Sequence, residues 1–216
     1  MTKTLSIDEQ PYKIPDDWYW STLGKVCTFI GGGTPSKRNS EYWNGNINWA
    51  SVKDVKGDYL FDTIDKITEE GLKNSSANLC EINDLILVTR MAPGTTIISK
   101  IVTAINQDLK IVKSDLSTKF LHYFFYNIKQ EVEMKSVGTT VNGIKVEILN
   151  EFKIAVPPLD EQQRIVDIIE SLFTKLDKAK EKLNFIVGFN DLKNTTIGKI
   201  DLIKKSILSR AFRGEL

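Results

Sequence analysis

From Ile165 onward the apolar residues step along the chain in a 4-3-4-3 rhythm: Ile165, Ile169, Leu172, Leu176, Ala179, Leu183 and Ile186. The same register continues through Asn190, Lys193, Ile197, Ile200, Lys204 and Ile207. A 3.5-residue period marks a helix that packs along a narrow seam against another helix. Such a helix cannot bury its stripe alone, so it needs a partner: its own domain or a second helix. Asn190 and Lys193 on the seam cost stability and fix register, which suits a specified pairing. Pro157 and Pro158 block helix upstream, and Asp160 suits an N-cap with Gln163 three residues on. Taken as one helix, residues 160–209 would extend about 75 Å. Gly188, Gly198 and the Asn-Thr-Thr at 194–196 are poor helix formers, so a break or kink would fall within 187–198.

The character of the chain changes at AVPPLDEQ, residues 155–162. Before it, short runs rich in Val and Ile alternate with Gly, Pro, Asn and Asp turns. KVCTFI (25–30), INWASV (47–52), DLILVTR (84–90), TIISKIVTAI (96–105) and FKIAV (152–156) read as strands. STKFLHYFFYNIKQEVE (117–133) reads as a helix with Leu121, Phe124, Phe125 and Ile128 on one face, and EEGLKNS (69–75) as a short one. Strands with a few helices, out of strict alternation, indicate an α+β domain with a mixed sheet. The expected division is 1–156 for this domain and 157–216 for a long coiled-coil-type helix and tail.

Several function classes lose support. The single histidine, His122, sits in an aromatic-rich helix, and Cys27 and Cys80 match no zinc spacing, so a metal site or Cys-His pair has no basis. GGGT at 31–34 lacks the lysine of a phosphate-binding loop. The Pro-Pro at 157–158 follows Val156, so it is not the Asn/Asp-Pro-Pro-aromatic tetrapeptide of adenine methyltransferases. The polar N-terminus carries no signal peptide, and no run suits a bilayer, so a cytoplasmic location is expected. The formal net charge is only +1, and residues 1–156 hold 18 Lys and Arg against 19 Asp and Glu. Any DNA-binding face must concentrate its cations locally.

PPLDEQQRIVDIIESLFTKLDKAKE (157–181) and KKSILSRAFRGEL (204–216) resemble the conserved-region helix and terminal tail of the specificity subunits of type I restriction-modification enzymes. IPDDWYWSTLGKVC (14–27), GGGTPS (31–36), YWNGNINWASVKDV (42–55), LVTRMAPG (87–94) and VGTTVNGIKVEIL (137–149) are similar to landmarks of that family's target-recognition domain, in the same order. Members with two such domains read the two halves of a gapped DNA site, and their paired antiparallel helices set the gap. The resemblance implies a non-catalytic chain that binds double-stranded DNA and scaffolds methyltransferase and restriction subunits. S-adenosylmethionine, ATP and Mg would be used by those partners, with no cofactor or metal in this chain. One domain and one helix suggest a half-length form. It would pair with a second copy, or another half-subunit, through Ile165, Ile169, Leu172, Leu176, Leu183, Ile186, Asn190, Ile197 and Ile200. Two identical copies would read a palindromic gapped site. The competing readings are a coiled-coil adaptor that reads no DNA and a silent truncated copy used in recombination.

DNA-contact candidates follow from chemistry. Lys37, Arg38 and Asn39 share a turn; arginine pairs bidentately with guanine and asparagine with adenine. Arg90 stands at a strand end, where it reaches a phosphate or base, or pairs with a nearby carboxylate. In VGTTVNGIK, Gly138 and Gly143 allow close backbone approach, and Thr139, Thr140, Asn142 and Lys145 supply donors. Lys53 follows the strand INWASV. Each of these is also compatible with a solvated turn. Trp43 and Trp49 are expected in the core rather than stacked on bases.

Overall fold

The computed structural model describes residues 5–136, 143–186 and 190–216, without the side chains of Ile7 and of 183–197. Among these residues the strands are β1 (Tyr19–Thr22), β2 (Cys27–Gly31), β3 (Trp43–Ala50), β4 (Tyr59–Leu60), β5 (Asp65–Ile67), β6 (Asn78–Cys80), β7 (Leu85–Val88), β8 (Thr96–Ser99), β9 (Thr103–Ile105), β10 (Leu109–Ser114) and β11 (Lys153–Val156). The helices are α1 (Leu23–Val26), α2 (Glu69–Lys73), α3 (Thr118–Lys135), α4 (Val146–Asn150), α5 (Leu159–Ile186) and α6 (Asn190–Ala211). The fold is α+β with mixed sheets. The chain forms two compact units, one holding Ser21–Ile154 and the other Lys3–Trp20 together with Ala155–Leu216. β1 and β11 pair in a two-stranded sheet.

The first unit contains two larger sheets. One has the order β2-β10-β7-β8-β4, antiparallel except for the β4–β8 edge. The other has the order β5-β3-β9-β6, with β3 and β9 parallel. The sheets share one apolar cluster, in which Ala50, Cys80 and Ile105 meet Ile86, Val88, Ile97, Leu109 and Ile111. On the second sheet a further cluster joins Trp49, Ile67 and Ala104, with Trp43 and Leu72 packed against it. β7 and β8 are buried at every residue. The shared core takes one face of these strands, and α3 contacts both of them. Burial on both faces explains why their sequences read as continuous apolar runs rather than alternating ones.

Helix α3 follows the sequence closely. Ser117 caps it, with Oγ accepting from the Phe120 amide at 3.4 Å. Phe120, Leu121, Phe124 and Phe125 are buried and Ile128 is half-buried. Burying each such aromatic or leucine contributes about 1.5–3 kcal/mol before chain entropy is counted. His122 is buried, its Nδ1 2.9 Å from Thr96 Oγ1 and its Nε2 3.4 Å from Asp58 Oδ1. Other segments differ from expectation. TIISKIVTAI is two strands, β8 and β9, in different sheets, because Lys100–Val102 turns the chain from one sheet to the other. Lys25 and Val26 belong to α1 rather than to the strand that follows.

In the second unit the helical region is two helices. α5 ends at Ile186 and α6 begins at Asn190, so the single rod of about 75 Å is corrected to a pair of roughly 42 and 33 Å. Gly188, one of the residues expected to weaken the helix, lies outside the described residues. α6 runs back along α5: Lys204 Nζ lies 2.6 Å from Asp177 Oδ1 and 4.8 Å from the Phe173 ring centre. Near the other end, Arg164 Nη2 donates to the Leu216 carbonyl at 2.9 Å. The seam therefore finds part of its partner within the same chain. α5 starts one residue earlier than expected, which puts Asp160 with Glu161 in its first turn, favourably placed for the helix dipole. Gln162 donates from its amide to Pro158 O and from Nε2 to Pro157 O, each at 2.9 Å. The N-terminal segment and the tail are tied together. Tyr12 Oη donates to the Phe212 carbonyl at 3.0 Å, and the Arg213 guanidinium lies 4.9 Å over the Tyr12 ring.

Candidate nucleic-acid interface

Four loops of the first unit converge on an open cleft of about 560 Å³, lined among others by Thr34, Lys37, Lys53, Met91, Gln107 and Asp108. The first loop follows β2 and is held by close backbone packing. A Cβ on Gly32 would stand 2.2 Å from the Ile105 carbonyl oxygen, so only glycine fits there. The Gly33 amide donates to Ile105 O at 2.9 Å. Two indoles then fix the loop: Trp49 Nε1 donates to Gly33 O at 3.0 Å and Trp43 Nε1 to Ser36 O at 3.2 Å. Their rings meet edge to face, with centres 5.2 Å apart. Lys37 and Arg38 project, exposed, from this braced turn.

The turn between β9 and β10 centres on Asp108. Its amide donates to Asn106 Oδ1 at 3.1 Å, and its carbonyl accepts from the Thr89 amide and hydroxyl at 2.9 and 3.0 Å. Its carboxylate accepts from Arg90 Nη1 at 3.2 Å, Asn106 Nδ2 at 3.2 Å and Gln107 Nε2 at 3.3 Å. The Thr34 hydroxyl donates to Gln107 Oε1, which joins the first loop to this one. After β3, Asp54 closes a capping box with Ser51, and Asp54 Oδ1 also accepts from the Ile64 amide at 2.9 Å. That box positions Lys53, whose Nζ sits 2.6 Å from Asp65 Oδ2. Both pairs are partly solvated, so each contributes little to stability, and an arriving phosphate can compete for the cation.

Among the sequence candidates, Lys37 and Lys53 line the cleft and Arg90 reaches it through Asp108. Asn39 Oδ1 accepts from the Glu41 amide at 3.1 Å, a local capping contact. Lys145 is exposed at the N-terminal end of α4, two residues beyond Gly143, which bridges Arg90. Thr139, Thr140 and Asn142 lie outside the described residues. Sequence reasoning missed Met91, Asn106, Gln107 and Asp108; the signal for the last three was the polar Asn-Gln-Asp between two apolar runs.

Of the paired-helix candidates, Ile165, Ile169 and Ile200 are buried within the second unit, and Leu172 and Leu176 are half-buried. The side chains of Leu183, Ile186, Asn190 and Ile197 lie outside the described residues. Leu202 and Ile203 on α6 are exposed at 66% and 46%. Cys27 and Cys80 are buried free thiols, and burial pushes them up to about 11 and about 12. No group of three His, Cys, Asp or Glu among the described residues could hold a metal ion. No helix among them is long and apolar enough to cross a membrane.

The fold thus defines a class: a mixed-sheet α+β domain with converging loops, followed by a pair of long helices. Residues 15–186 match the family described as type I restriction modification DNA specificity domain, and the chain belongs to that family. It is 34% identical over 175 residues to the EcoR124I/EcoR124II specificity subunit of Escherichia coli, covering 76% of this chain and 43% of that one. It is 30% identical over 182 residues to the MjaIX specificity subunit of Methanocaldococcus jannaschii, covering 81% and 42%. The chain therefore spans under half the length of these curated relatives. The solved HsdS subunit from Thermoanaerobacter tengcongensis shares the fold, with a TM-score of 0.63 at 22% identity over 96% of this chain and 48% of that one. A chain from a study of assembly and conformational transition in a type I system gives 0.65 at 21% identity, covering 96% and 49%.

Proposed function

We propose that the chain reads one half of a gapped double-stranded DNA target and performs no chemistry itself. The observation that carries this is the convergence of Lys37, Lys53 and Gln107 on one cleft from loops braced by hydrogen bonds, with Arg90 held beside it on the cleft-lining Asp108. Lysines supply phosphate contacts, which set affinity; arginine and glutamine have the donor geometry that discriminates guanine and adenine. Methyltransferase and restriction subunits, using S-adenosylmethionine, ATP and Mg, carry out the reactions on the DNA. A second copy supplies the other half-site. With α5 and α6 folded together, the pairing surface would be the outer face of α6, where Leu202 and Ile203 are exposed, rather than one continuous seam.

Adenine methylation mapped genome-wide in the source cell, with the gene intact and deleted, tests this. Loss of a palindromic gapped motif is the expected result. Loss of an asymmetric gapped motif would keep the reading of DNA but replace the second copy by a different half-subunit. No change in any motif would overturn the proposal and favour a silent copy or an adaptor.

A further inference from the structure

Three non-glycine residues among those described have positive φ: Asn44 at 60°, Asn83 at 70° and Met91 at 69°. Asparagine tolerates the left-handed region because its short side chain bonds locally; methionine has no such compensation. Met91 is also the most exposed large apolar side chain among the described residues, at 79%. The turn that carries it is rigid. The Ala92 amide donates to Arg90 O at 2.9 Å, Gly94 to Val88 O at 3.0 Å and Thr95 to Ala92 O at 3.2 Å. Pro93 and Gly94 are buried, and a Cβ on Gly94 would lie 3.1 Å from Val132 Cβ. The turn thus holds its own neighbours down and thrusts one methionine outward, beside Arg90 and over the cleft that Lys37 and Lys53 share. Glycine or asparagine would satisfy the backbone better and expose less apolar surface. Strain kept at a rigid, exposed position points to a role in a complex.

We propose that Met91 is an apolar wedge that enters the base stack of the bound duplex beside the half-site. This rests on the DNA-reading function proposed above. Lys37 suits a phosphate backbone, as do Lys53 and Arg90 once a phosphate competes with Asp65 and Asp108 for them, and methionine is among the side chains that proteins drive between base steps to unstack them. Its polarizable thioether also packs well on aromatic faces. Unstacking makes the step's deformability part of what is read, so Met91 would contribute specificity without a hydrogen bond to any base.

The test uses the chain assembled with its methyltransferase subunit. The probe is a duplex carrying the mapped motif, with 2-aminopurine substituted at successive positions, alongside a scrambled duplex. The wild type is expected to raise 2-aminopurine fluorescence at one step next to the half-site. Met91→Asn is expected to abolish that rise and to weaken motif binding about tenfold, the scale of one lost stacking contact. Binding to the scrambled duplex should be unchanged. The same variant is expected to melt about 2–4 °C higher because its backbone strain is relieved, which separates lost function from lost folding. Met91→Leu should keep the fluorescence signal. Motif binding and fluorescence by Met91→Asn equal to wild type would overturn the wedge, as would failure of that variant to assemble, which would make Met91 a protein contact. A wild type that cannot tell the motif from the scrambled duplex would instead overturn the DNA-reading function.

Discussion

Replacing each cleft-side tryptophan by phenylalanine removes the same donor from two different settings. Trp49 is 4% exposed, and its Nε1 donates to the carbonyl of buried Gly33 at 3.0 Å. Trp43 is half-buried, and its Nε1 donates to the carbonyl of exposed Ser36 at 3.2 Å. In Trp49→Phe the Gly33 carbonyl loses its donor in a site water cannot easily enter, at a cost of about 1–3 kcal/mol. The smaller ring leaves a void that adds on the order of 1 kcal/mol, so the total is about 2–4 kcal/mol. In Trp43→Phe water replaces the donor, and the loss is about 0.5–1 kcal/mol. With a urea m-value of about 2 kcal/mol/M, the unfolding midpoint should fall by about 1–2 M for the first variant and by no more than about 0.5 M for the second. Urea titration followed by far-ultraviolet circular dichroism measures both. Equal shifts at unchanged m would refute the argument that burial of the acceptor decides the cost.

Lys37→Ala should weaken motif and scrambled duplex alike and reduce the slope of log affinity against log salt by about 0.9; a loss confined to the motif would make Lys37 a base reader. In Cys27→Ala/Cys80→Ala the alkaline decline of stability should be shallower than in wild type. The thiols are raised on folding from an ordinary value of 9.0, so above that pH they ionise first in the unfolded chain. Folded protein then holds more protons, and each thiol should lower stability by about 1.4 kcal/mol per pH unit until its folded value is reached. Urea midpoints measured from pH 8 to 10.5 check this, and parallel curves for the two proteins would reject it. Leu202→Glu/Ile203→Glu should convert a dimer to a monomer in sedimentation while leaving far-ultraviolet helicity intact; an unchanged dimer would move the pairing surface elsewhere.

What the sequence made legible was what a single element decides for itself. The apolar face of α3, the unbroken run of β7 and the buried Trp49 each follow from local pattern and residue size. What it hid depends on elements distant in the chain. TIISKIVTAI has strand character throughout, and only the two-sheet arrangement shows that β8 and β9 part company. The heptad register specifies that α5 needs a partner, but a 3.5-residue period is equally satisfied by a neighbouring helix of the same chain. In the cleft, Lys37 and Arg90 could be nominated because charge at a turn is visible in one residue. Gln107 carried only the signal of a polar turn, and its bond with Thr34 across 73 positions is what ties it to the first loop, while Met91 stands out only through its backbone angle.

The tie between Tyr12 and Phe212 also dictates when each unit can be finished during synthesis. Residues Ser21–Ile154 hold their own sheets and core, so the first unit has every partner it needs before the tail is made. The second unit is completed by residues 200 positions apart, so its N-terminal segment must wait until Phe212 has been made. Domains generally fold as units while the ribosome proceeds, and long-range closure is slow. The segment around Phe212 should therefore lock the segment around Tyr12, leaving Tyr12 without this partner on the nascent chain until residue 212 has been made.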